Sequence, residues 1–155
     1  MFLLCCQRLF DLPAAEEKTL EEQQVSALLK QILNEIEAAW ICESGFVRFR
    51  IQRGAMKWEV DCRCRKGCVE IYGRYPFQVS DRDAAAKCCG EANLRLNRGA
   101  MVLPADGRPV FRDSAEMDDP YGAADRLRRA LEFNFRAVAR FWGRMERSAG
   151  NGRIR

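Results

Sequence analysis

The stretch from Ala92 to Asp113, ANLRLNRGAMVLPADGRPVFRD, constrains this chain more than any other. It reads as the last turn of a helix, a stop at Gly99, a short strand, a turn and a second strand. Glycine just past a helix takes the left-handed conformation that other residues resist. Ala105-Asp106-Gly107 between Met101–Leu103 and Val110–Arg112 is a hairpin signal.

Upstream, the hydrophobic period changes once. Val25, Leu28, Leu29, Ile32, Leu33, Ile36, Ala39 and Trp40 recur at helical spacing, behind a Thr19/Glu22 capping-box pattern. The spacing predicts a helix over about 20–42, ended by Gly45. Period two then takes over. Val47, Phe49 and Ile51 alternate with Arg48, Arg50 and Gln52; Trp58, Val60, Cys62 and Cys64 alternate with Lys57, Glu59, Asp61, Arg63 and Arg65. After Lys66-Gly67, Val69, Ile71, Gly73, Tyr75 and Phe77 continue the apolar face. Such alternation predicts three antiparallel strands with one wet face. Arg48, Arg50, Glu59, Arg63, Glu70 and Arg74 lie on that face. Trp58 and Val60 are expected against Leu28 and Ile32 of the first helix, or against the last helix.

Ser80 is positioned to cap a second helix, whose stripe of Ala85, Cys88, Cys89, Ala92 and Leu96 suits close packing on a sheet. A third helix is expected from about Pro120. Leu127, Leu131, Phe135, Val138, Phe141, Trp142 and Met145 share one of its faces, and arginines line the other. The expected fold class is α+β: helix, three-strand antiparallel meander, helix, two-strand hairpin, helix. A single domain over 19–148 is expected, preceded by an apolar extension over 1–18 and followed by a flexible basic tail over 149–155. With 155 residues and 48% hydrophobic composition, the chain can bury a core without staples.

The chain has no histidine, which removes the commonest general base and metal ligand. Neither a P-loop nor a GxGxxG run is present. Asp118-Asp119 precedes a helix start, where carboxylates favour the helix dipole. No catalytic residue, cofactor or metal is expected. Eight cysteines without an export signal point to reduced thiols and a cytoplasmic protein. No apolar run is long enough to cross a bilayer. An alternative function rests on Cys62, Cys64 and Cys68 as a thiol-based metal or redox centre, although the run lacks a CxxC knuckle. The plainer reading makes Cys62 and Cys64 small core residues.

Charge is uneven. Residues 120–155 hold nine arginines against Asp125, Glu132 and Glu146. A solvated outer helix face explains most of that stripe. As a partner-binding surface, its candidates are Arg126, Arg129, Phe133, Arg136 and Arg140, since an aromatic ring within a charged face is unusual. Nucleic acid is disfavoured as a partner, because neither stacking motifs on the sheet nor a helix-turn-helix pattern is apparent.

The element order resembles the type III secretion chaperone-like fold. Within it, Ala92-Asn93-Leu94-Arg95-Leu96-Asn97, then Gly99, Ala100–Leu103 and Asp106-Gly107, together with WEVDCRCRKGCVEIYGRYPF, resemble the YbjN-like family of bacterial sensory transduction regulators. The resemblance covers about 19–147. It implies a noncatalytic protein-binding role, chaperone-like or regulatory, with no catalytic residues to carry over. A homodimer is expected, buried partly through the apolar N-terminal segment.

Overall fold

A computed structural model describes residues 19–150. The extension over 1–18 and the end of the tail, 151–155, lie outside the described residues. The order is α1 (Glu22–Glu35), β1 (Trp40–Glu43), β2 (Phe46–Arg53), β3 (Met56–Arg65), β4 (Cys68–Arg74), α2 (Arg82–Asn93), β5 (Ala100–Val102), β6 (Val110–Glu116) and α3 (Ala123–Ala149). The class is α+β. The strands form one antiparallel sheet of order β1-β2-β3-β4-β6-β5.

The meander has four strands where three are expected from sequence, and the sheet has six. The extra strand is taken from the end of the predicted first helix. That helix stops at Glu35 because the backbone closes a Schellman motif. Ala38 N–H donates to the Leu33 carbonyl at 2.9 Å, and Glu37 N–H to that of Asn34 at 3.1 Å. Glu37 takes the left-handed conformation, with φ 57°, that glycine usually supplies there. Trp40–Glu43 then pairs with Phe46–Phe49 across Ser44-Gly45, both at positive φ as a type I′ hairpin requires. Trp40 is tied back to α1 by its indole N–H on Asn34 Oδ1 at 2.9 Å and by Lys30 over its ring.

Helix starts are also displaced. The capping box of α1 is Glu21 with Gln24, not Thr19 with Glu22. Asp81, not Ser80, caps α2 by accepting from Ala84 N–H at 3.0 Å. The last helix begins at Ala123, after Pro120, and extends through Ala149, which is buried rather than part of a tail.

Helices α1 and α3 pack on one face of the sheet; α2 packs on α3 and against β5 instead of lying flat on the sheet. The core is the dry face of the meander with the apolar faces of α1 and α3. Val25, Leu29 and Leu33 meet Val60, Cys62 and Ile71, while Leu127, Leu131, Phe135, Val138 and Phe141 complete it. Trp58 is buried and packs on Trp142 of the last helix, with Tyr75 and Phe77 joining that aromatic cluster. Two polar latches fix α3 to the sheet. The Tyr75 hydroxyl donates to the Val138 carbonyl at 2.8 Å, and the buried Asn134 amide donates to that of Phe111 at 3.3 Å. Gly73 makes this close approach possible, because a Cβ there would lie 2.6 Å from Val138 Cγ2.

Among the described residues, no helix is long and apolar enough to cross a membrane.

Candidate functional site

Among the described residues, the helices that touch the meander do so from one side, and its other face carries none of them. Strand alternation places Phe46, Arg48, Arg50, Glu59, Asp61, Arg63, Glu70, Tyr72 and Arg74 there. The expected wet face is therefore in place, with one exception. Asp61 is only 1% exposed. Arg48 Nε lies 2.7 Å from one carboxylate oxygen and Arg74 Nε 2.7 Å from the other. Arg48 also binds Glu43 at 2.6 Å, and Arg50 reaches Glu59 at 3.4 Å. The flanking guanidiniums cover Asp61 with their stems, as long charged side chains do. Burial acts to raise its carboxyl pKa, but bonds to Arg48 and Arg74 outweigh this and hold it below the ordinary value.

Beside this network the face carries aromatic surface. Phe46 and Tyr72 meet edge to face across β3, with ring centroids 6.3 Å apart, and the Arg63 guanidinium lies over Phe46. Next to Tyr72, a groove of about 440 Å³ opens between β4, β6 and β5, lined by Cys68, Glu70, Tyr72, Arg112 and Ser114 among others. Burial, then the neighbouring Glu70 carboxylate, raises the Tyr72 phenol, and burial raises the Cys68 thiol. Neither shift favours the deprotonated form.

The arginine stripe of α3 is largely engaged within the chain. Arg126 donates to the backbone carbonyls of Glu116, Asp119 and Tyr121, fixing the loop that enters α3. Arg136 binds Glu132 at 2.9 Å one turn away. Arg140 lies over the ring of Phe141. Phe133 is half-buried, packs on Phe111 and carries the Arg98 guanidinium 5.3 Å from its ring centroid. Its place among the arginines is thus explained by what it supports. Arg129 is exposed.

The cysteine run does not converge. Cys62 and Cys64 face the helices, opposite Ile71 and Val69, whereas Cys68 pairs with Arg65 and faces the other side of the sheet. Among the described residues, no group of three or more Cys, Asp or Glu side chains could hold a metal ion. Burial pushes the Cys62 thiol well up and the Cys64 thiol to about 11, which suppresses the reactive thiolate. All the described cysteines are free thiols.

The alternation of β2, β3 and β4 locates the open face in the sequence. It does not reveal that Asp61 is buried, because its guanidinium partners come from neighbouring strands. Nothing in the local sequence of Arg98 marks its contacts with Asp113, Ser114 and Phe133.

No protein-family model, no curated protein and no solved structure matches this chain.

Proposed function

We propose that this chain is a noncatalytic protein-interaction module, chaperone-like or regulatory, working in the cytoplasm as a homodimer. The observation that carries this reading is the helix-free face of the meander. It holds the Phe46–Tyr72 pair beside an open groove and a network of fixed charges. Aromatic rings and arginines are the residue types enriched where proteins bind one another. Mixed charge held in fixed positions gives orientation rather than general stickiness. The reading also draws on the sequence resemblance to the type III secretion chaperone-like fold and to YbjN-like regulators; β1 is an addition to the element order expected from it.

The test is affinity capture from native extract, quantified by mass spectrometry, on three proteins: the wild type, Tyr72→Ala/Arg112→Glu, and Arg129→Glu/Arg136→Glu. A partner held by the wild type and the α3 variant but lost from the sheet variant supports the reading. Loss from the α3 variant alone moves the contact to the arginine stripe. No protein enriched over a control surface argues against an interaction module.

A further inference from the structure

The two edges of the sheet are treated differently. At one edge, β5 covers only residues 110–112 of β6. The rest of β6 would be an open template for another strand, yet its backbone is already occupied. Arg98 Nη2 donates to the Ser114 carbonyl at 2.7 Å. The Asp113 carboxylate accepts from Ser114 N–H at 2.8 Å, and Arg126 Nε donates to the Glu116 carbonyl at 3.1 Å. Arg98 is itself held by Asp113 at 2.9 Å and by the ring of Phe133. Side chains thus close this edge against pairing, one of the ways proteins manage an exposed strand.

The opposite edge has no such guard. Among the described residues, strand β1 pairs with β2 alone and no side chain hydrogen-bonds its outward backbone. It carries neither lysine nor proline, and its register runs without a bulge. Ile41 is 57% exposed on it, and Ile36, just before it, is 50% exposed. Its one carboxylate, Glu43, is already paired with Arg48.

We infer that β1 is the seam of the homodimer: two copies pair β1 antiparallel across a two-fold axis, joining their sheets into one. The inference rests on the dimer reading above. Side chains alternate between faces, so residues opposite one another must share a face. Centring the axis on Ile41 sets it against Ile41 of the second copy, and Trp40 against Cys42. The two Glu43 carboxylates then fall at opposite ends of the seam, each on its own Arg48. Centring on Cys42 would instead oppose Ile41 to a carboxylate. A two-fold contact needs a self-complementary surface, and this apolar strand supplies one without a like-charge clash. A charged foreign peptide finds no free charge on β1 to select it.

Sedimentation velocity on the full chain from low to high micromolar concentration tests the seam. Hydrogen exchange of residues 40–43 is read over the same range. The expected result is a dimer for the wild type and for Val102→Lys at the guarded edge, but a monomer for Ile41→Lys. Circular dichroism should match in all three. Exchange at 40–43 in the wild type should slow as concentration rises, which reads the seam even if the lysine variant misfolds. A wild type that is monomeric throughout removes both the dimer and the seam. A dimer that survives in folded Ile41→Lys, with exchange at 40–43 independent of concentration, keeps the dimer and overturns the seam. Protection of 40–43 that persists at dilutions where sedimentation shows a monomer means that another segment of the same chain covers the edge, and also overturns it.

Discussion

Arg48 and Asp61 sit on neighbouring strands with Nε and carboxylate oxygen 2.7 Å apart, and Arg74 holds the other oxygen from the far side. A nearly buried carboxylate between two guanidiniums fixes the charge layout of the helix-free face. Replacing Asp61 with Asn would leave both arginines short of their partner. A fully buried pair broken this way costs more, but these arginines are about a third exposed, so solvent screens the loss. We expect Asp61→Asn to lose about 1–3 kcal/mol at neutral pH.

The same pair predicts a pH dependence. Burial opposes ionisation of Asp61, but its arginine bonds win and its folded pKa lies below the unfolded value of about 4. The folded state therefore binds the proton less readily than the unfolded chain. Its contribution is present above about pH 4 and is lost as pH falls through the folded pKa. Urea titrations should show the gap between wild type and Asp61→Asn narrowing below that pH. A gap that stays constant down to pH 2 would assign the loss to packing instead of charge.

Gly73→Ala should cost about 1–3 kcal/mol, the range for overpacking a filled interior. The added methyl would meet Val138 Cγ2 at 2.6 Å and Asn134 Oδ1 at 2.7 Å. It would push α3 off the sheet at its central latch. Thermal unfolding measures this directly, and Gly90→Ala, where a Cβ meets nothing within 4 Å, is the control and should not destabilise.

Glu37→Gly should be stabilising by about 0.5–1 kcal/mol. Glu37 closes the Schellman motif at φ 57°, where a side chain is strained and glycine is not. A higher urea midpoint with an unchanged slope is the expected reading.

Thiol labelling should follow burial. At pH 8, and at dilutions where the chain is monomeric, the exposed Cys42 should react quickly with a maleimide, and Cys62 only on unfolding. Cys64 and Cys89, both pushed up to about 11, should lag well behind Cys42. Peptide mapping separates the sites. Fast labelling of Cys62 in folded protein would mean that the face of β3 turned towards α1 opens readily.

Arg98→Ala should change solubility more than stability. It frees the Ser114 carbonyl and removes the cap on the uncovered part of β6. Exposed, unpaired strand backbone invites association, so light scattering of the concentrated variant should rise above that of the wild type.

Period and punctuation in the sequence determined the class of fold, the three long meander strands, the hairpin after Gly99 and the dry faces of α1 and α3. These follow from local rules, since a residue's face depends only on its neighbours along the chain. Ile36, Ala39 and Trp40 keep helical spacing, so nothing local separates them from α1. Pairing with β2 makes Trp40–Glu43 a strand, and that gain exists only once β2 is in place. Burial of Asp61, the seat of Phe133 beneath Arg98 and the difference between the two sheet edges have the same origin. Each depends on groups brought together from distant positions, and only the tertiary structure sets those distances.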